Sequence, residues 1–174
     1  MPPPHHILIT GASSGIGAAL AAAYAAPGIR LSLAGRDEGR LSATALACKA
    51  SGAETSTTTF DVADSRAAAD WVNAADEHDP IDLLIANAGV SAGTGGSGES
   101  AARARTILNV NIDGVSNTVL PAIDRMRSRR QGQIAIMSSL AGFIGLPGAP
   151  AYCASKAAAR VWGASLRGEL APDN

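Results

Sequence analysis

Aromatic residues are scarce in this sequence, 3% of its 174 residues, although hydrophobic residues make up 47%. A core so short of rings has to be built from Ala, Val, Ile and Leu, and helices clad in small side chains approach a sheet closely, which suits layered α/β packing. Cysteine is nearly absent. Cys48 and Cys153 have neither metal-ligand spacing nor the density of a secreted disulfide framework, which points to a reducing compartment. Charge of one sign is not in excess either: 14 basic and 15 acidic residues leave a formal charge of −1. Nothing there attracts phosphate backbones or anionic lipid in general, so a nucleic-acid partner is not indicated. No apolar run approaches the ~18 residues of a membrane span. The opening Met1-Pro2-Pro3-Pro4-His5-His6 runs straight into Ile7-Leu8-Ile9, without the apolar stretch of a signal peptide. A soluble, cytoplasmic protein is expected, and residues 1–174 have the usual size of one domain.

What is present is an alternation. Short apolar runs of strand length, Ile7 to Ile9, Leu31 to Ala34, Thr57 to Phe60, Ile81 to Ala86 and Gln133 to Met137, are separated by Ala-rich stretches with helical periodicity. The helical stretches are Ile16 to Ala26, Glu38 to Ser51, Ser65 to His78, Ser100 to Arg130 and Tyr152 to Leu170. Strand and helix in strict turn, with few hairpin signals, predict right-handed crossovers and a doubly wound, mostly parallel sheet. Only Ser91 to Ser100, rich in Gly and Ser, reads as a long irregular loop.

The first strand leads into Gly11-Ala12-Ser13-Ser14-Gly15-Ile16-Gly17 and then directly into a helix. Gly11 permits a tight turn, Gly15 a close backbone approach by a pyrophosphate, and Gly17 tight packing of helix on strand. The spacing is G-x-x-x-G-x-G rather than G-x-G-x-x-G, and a purely structural glycine turn is the alternative. The second strand ends at Ala34-Gly35-Arg36-Asp37, where a basic residue would accept a ribose 2′-phosphate and an acid would take the 2′-hydroxyl. Arg36 in the first loop position favours NADP(H). Asp37 leaves NAD(H) open.

Tyr152 and Lys156 stand four apart, on one face of the last predicted helix. A phenol is a poor proton donor or acceptor near neutrality unless a neighbouring ammonium favours its phenolate, so the pair suits acid–base work on a carbonyl or hydroxyl oxygen. Ser138-Ser139 closes the preceding strand, and ligands of parallel α/β sheets bind at the carboxyl ends of strands. Ser139 could therefore hydrogen-bond the same oxygen.

Six motifs, Thr10 to Gly17, Asp61-Val62, Asn87-Ala88-Gly89, Asn109-Val110-Asn111, Ser138-Ser139 and Tyr152-Cys153-Ala154-Ser155-Lys156, resemble in order and spacing those of the short-chain dehydrogenases/reductases. The resemblance runs from Ile7 to about Leu170. It implies a Rossmann-type fold and hydride transfer between NADP(H), with NAD(H) possible, and a small-molecule carbonyl or secondary alcohol. Residue by residue it implies Tyr152 as the acid–base, Lys156 on the nicotinamide ribose, Ser139 orienting the substrate carbonyl, and Asn111 kinking its helix and holding a water in a relay to Lys156. Gly11, Ser13, Ser14, Gly15, Ile16 and Gly17 would form the cofactor turn, Asp61 and Val62 would contact the adenine, and Asn87, Ala88 and Gly89 would steady the sheet beside the cofactor. An Asn111 bonded to its own backbone and an Asp61 that merely caps a helix are the plainer alternatives. The resemblance also implies pairing of copies through the two long helices. By the same comparison the closing strands and substrate lid of the family would lie beyond Leu170, which keeps a second reading in view: a cofactor-binding or interaction module without turnover.

Overall fold

The computed structural model describes residues 3–91 and 98–173. Its elements run in the expected order: β1 His6–Thr10, α1 Gly15–Tyr24, β2 Arg30–Gly35, α2 Glu38–Ala50, β3 Glu54–Thr59, α3 Ser65–His78, β4 Leu83–Ala86, α4 Ala101–Leu108, α5 Gly114–Arg129, β5 Gln133–Ile136 and α6 Pro150–Leu170. All neighbouring strands pair in parallel, in the order β3-β2-β1-β4-β5. Chain direction across the sheet reverses between β1 and β4, the place where a doubly wound sheet opens a crevice at its carboxyl edge.

Both faces of the sheet are covered, and the alternation of side chains along each strand says by what. Ile7 and Ile9 of β1, with Leu31 and Leu33 of β2, pack against Ala21 of α1 and against Leu41 and Ala45 of α2. Leu8 and Leu84 point the other way, into Trp71 and Val72 of α3 and Val115, Val119 and Ile123 of α5. Strands covered on both faces read as continuous apolar runs, which is why β1, β2 and β4 were legible.

Most boundaries shift by a residue or two, and three differences have a physical reason. β3 begins at Glu54, before the expected Thr57, and Phe60 falls beyond it. This is an edge strand with a largely exposed Thr-rich face, so it carries no apolar run to announce it. The stretch Ser100 to Arg130 is two α-helices joined by a π-helical turn, Asn109–Asp113. The catalytic candidate helix starts at Pro150, in the first-turn position where a missing N–H costs nothing. Of the loop expected over Ser91 to Ser100, residues 92–97 lie outside the described residues. No helix among the described residues is long and apolar enough to cross a membrane.

A polar chain, buried at its start, runs from the central strand β1 across β2 to β3. His6 is 1% exposed; its Nδ1 donates to the Asp79 carbonyl at 2.7 Å, so Nε2 accepts from the Ser32 hydroxyl at 2.9 Å, and Ser56 donates to Ser32 at 3.0 Å. Burial holds the His6 pKa below its ordinary 6.5; Arg30 pushes the same way, while Asp79 and Asp82 work against it. Because the folded value is the lower one, the unfolded chain binds the proton first, and stability is lost as pH falls below 6.5 until folded His6 itself titrates. Urea midpoints of wild type and His6→Gln should therefore converge as pH falls through that window. Parallel curves would remove His6 from the acid response.

Candidate active site

At the carboxyl edge β1 passes through a tight turn into α1. Gly11 and Gly15 hold φ of +68° and +55°, in the left-handed region that favours glycine. A Cβ at Gly17 would collide with the Gly11 carbonyl oxygen and lie 2.7 Å from the Asn87 amide nitrogen, so α1 meets the turn backbone to backbone. Beside Gly15 there is open space, with nothing within 4 Å of an added Cβ. Ser14 stands at the N-cap without a side-chain capping bond, and the first turn of α1 has no acidic residue. Unclaimed N–H groups beside an open space are what an anion needs. Asn87 locks the turn from the β4 side: its Nδ2 donates to the Thr10 carbonyl at 3.0 Å, while its own N–H and that of Ala88 donate to the Thr10 hydroxyl at 3.1 and 3.0 Å. These bonds tie the end of β4 to the end of β1. Gly89 adds room, since a Cβ there would sit 3.2 Å from Asn111 Oδ1 and 3.3 Å from Lys156 Nζ.

Arg36 follows β2 directly and is exposed, with its guanidinium 3.7 Å from the Asp61 carboxylate. Asp37, the residue that left NAD(H) open, is turned to its own helix: it accepts the Arg40 N–H at 2.9 Å as the N-cap of α2 and pairs with the Arg40 side chain at 2.8 Å. The bond from the Arg40 backbone is the first cause holding its carboxyl below the usual range. Asp61 does not cap α3; Asp64 does. Asp61 instead accepts the Ala63 N–H at 3.0 Å, and Val62, 6% exposed, offers its carbonyl to Asn117 at 2.9 Å.

Tyr152 and Lys156 lie one turn apart near the start of α6, with Nζ 6.0 Å from the phenol ring centre. Lys156 is 4% exposed and donates to the Met137 carbonyl at 3.0 Å. No carboxylate pairs with it among the described residues, and burial lowers its pKa. Asn111 is fully buried on the π-helical turn and bonds elsewhere than its own helix: Oδ1 accepts Val90 N–H at 2.8 Å, and Nδ2 donates to Val90 O and to Ser155 Oγ, each at 3.0 Å. Ser155 in turn donates to the Tyr152 carbonyl at 2.7 Å. Ser138 gives its proton to the Lys156 carbonyl at 2.8 Å, whereas Ser139 accepts the Ala141 N–H at 3.2 Å and keeps its own proton available.

One cleft of about 780 Å³ gathers Gly11, Ser13 to Ile16, Arg36, Asp61, Val62, Asn87 to Gly89, Tyr152 and Lys156. Three expected site residues are not among its lining: Gly17, which abuts Gly11 and Asn87, Asn111, which bonds the lining residue Val90, and Ser139, in whose place Ser138 lines the cleft. Sequence reasoning passed over Arg40, Met137 and Val90, which also border the cleft. Arg40 could have been noticed as a second cation four residues beyond Arg36; the part of Met137 that holds Lys156 is its main-chain carbonyl, which no side-chain pattern signals. An open glycine turn, a cationic corner at Arg36 and Arg40, and a buried ammonium beside a phenol thus line one cleft.

The family model described as short chain dehydrogenase matches residues 5–174. An uncharacterized oxidoreductase of Myxococcus xanthus is 38% identical over 164 residues, covering 94% of this chain and 65% of its own length. The structure of a metagenomic short-chain oxidoreductase in complex with NADP superposes with a TM-score of 0.89 at 29% identity, covering 97% of this chain and 77% of that one. That of NAD+-bound xylitol dehydrogenase gives 0.89 at 25% identity, with 98% and 66% covered. The chain thus spans about two thirds of the length of the Myxococcus protein.

Proposed function

The chain belongs to the short-chain dehydrogenase family of oxidoreductases, and from that premise we propose that it transfers hydride between NADP(H) and a carbonyl or secondary alcohol. The observation that carries this reading is the sharing of one cleft by the open glycine turn and the Tyr152–Lys156 pair. A glycine turn alone is compatible with nucleotide binding of any purpose. A buried ammonium set against a phenol serves proton transfer.

Bound NADPH would supply the hydride to the carbonyl carbon. Tyr152 gives its hydroxyl proton to the carbonyl oxygen, so that C=O becomes CH–OH and the phenolate left behind stands beside the Lys156 ammonium. Ser139 donates a hydrogen bond to the same oxygen and fixes its direction. Lys156, held by Met137 O, keeps N–H donors for the ribose hydroxyls of the nicotinamide half. Asn111 ties Val90 to Ser155, and through Ser155 the Tyr152 carbonyl, which holds the main chain of Tyr152 against the Val90 wall of the cleft. The segment between Ser139 and Tyr152 exposes Leu140, Phe143 and Ile144, in keeping with a hydrophobic ketone. Reduction of aryl and long-chain aliphatic ketones by NADPH is the direct assay; absence of turnover across such a panel at high protein concentration would count against the proposal.

The preference for NADP(H) rests on Arg36, and it is supported by the engagement of Asp37 with Arg40. A charge-assisted bond to a phosphate contributes roughly 1.5–3 kcal/mol, about tenfold or more in affinity. Ser14 adds no second cation, and Asp61 competes for the guanidinium. Titration of both reduced cofactors into Arg36→Ala should show NADPH binding weakened about tenfold and NADH unaffected. Equal weakening of both would unseat Arg36.

A further inference from the structure

Pro150 occupies the first position of α6 and brings no N–H, and the preceding Ala149 has no side chain able to cap. The next two N–H groups, those of Ala151 and of Tyr152 itself, precede the first main-chain bond of the helix, Cys153 N–H to Ala149 O at 2.9 Å. Both are taken by one side chain from far away in sequence. Glu99 Oε2 accepts Ala151 N–H at 2.6 Å and Oε1 accepts Tyr152 N–H at 3.0 Å. We propose that Glu99 is a positioning residue for the reaction assigned above: its carboxylate caps the helix that carries Tyr152 and fixes the phenol relative to Lys156 and the cleft.

The physical case has three parts. A carboxylate at a helix N-terminus completes otherwise unclaimed donors and meets the positive end of the helix, and the bonds are charge-assisted and bidentate. The Tyr152 main chain is thereby held on both sides, its N–H by Glu99 and its C=O by the Ser155–Asn111 pair. Finally, Glu99 immediately precedes Ser100, whose hydroxyl caps α4 by accepting the Arg103 N–H at 3.2 Å. Two helix starts, those of α4 and α6, are thus set against each other by adjacent residues, and the one that reaches across governs the reacting group.

Because the proposal rests on the acid–base reading of Tyr152, its test runs beside Tyr152→Phe. Full-length wild type, Glu99→Gln and Glu99→Ala are compared by residue-resolved amide exchange, by NADPH affinity, and by kcat and KM for whichever ketone wild type reduces. Glu99→Ala is expected to speed exchange of the Ala151 and Tyr152 amides at least tenfold, with Glu99→Gln between it and wild type, while amides of β1 stay as they were. In both variants kcat falls and NADPH affinity holds. A loss of cofactor affinity in step with kcat would mean general damage instead of positioning, and exchange unchanged in Glu99→Gln, the isosteric variant that keeps the fold if the alanine does not, would overturn the cap. Retained turnover in Tyr152→Phe would sink the acid–base reading on its own, whatever the exchange rates report.

Discussion

Replacing Tyr152 by Phe is expected to abolish turnover, by about 10²–10⁴-fold, while NADPH affinity and the urea midpoint stay as in wild type. The substitution removes one oxygen and leaves the ring, its 6.0 Å separation from the Lys156 ammonium and both of its main-chain bonds. Ser139, which bonds the same oxygen in this account, is an aliphatic hydroxyl and a far weaker acid than a phenol, so it does not take over the proton transfer. Parallel measurement of kcat and of the cofactor dissociation constant decides it. A variant with near-wild-type kcat would place the acid elsewhere.

Gly17→Ala should have the second largest effect. The added methyl group would run into the Gly11 carbonyl oxygen and the Asn87 amide. Neither is a flexible tip: the first is main chain, and the second is pinned to the Thr10 carbonyl at 3.0 Å. Helix α1 must then lift from β1, at a cost of about 1–3 kcal/mol for overpacking. Its first-turn N–H groups move with it, so NADPH affinity should fall together with the urea midpoint. Gly168→Ala is the control, because a Cβ there meets nothing within 4 Å and alanine is the better helix former. If Gly17→Ala matched wild type in both measurements, the close contact of α1 with the turn would be irrelevant to binding.

These two residues illustrate what the sequence makes legible. Gly17 and the Tyr152–Lys156 pair are local signals: a glycine spacing fixed by one turn, and two side chains one helical turn apart. The doubly wound sheet was legible for the same reason, since β1, β2 and β4 are continuous apolar runs buried on both faces. Edge strand β3, where mostly polar side chains face outward, was legible only in its second half. The π-helical turn at Asn109–Asp113 left no periodic trace, although the resemblance implied a kink at Asn111, and the partners of that side chain, Val90 and Ser155, are 21 and 44 residues away. Asp37 is a similar case. Its charge suggested competition for the ribose, and only the helix it caps shows where that charge is spent. Glu99 lies within a stretch that reads as generic loop, and its partners are 52 and 53 residues downstream.

The most direct measurement follows the hydrogen itself. Wild-type chain is given NADPH deuterated at the transferable position of the nicotinamide ring, together with ketones from the panel, and the alcohol formed is analysed for the site of the label. Deuterium on the carbinol carbon, with unlabelled hydrogen on oxygen drawn from solvent by way of Tyr152, is the predicted result. A chain that binds NADPH yet forms no labelled alcohol from any ketone offered would contradict the account and leave a cofactor-binding module in its place.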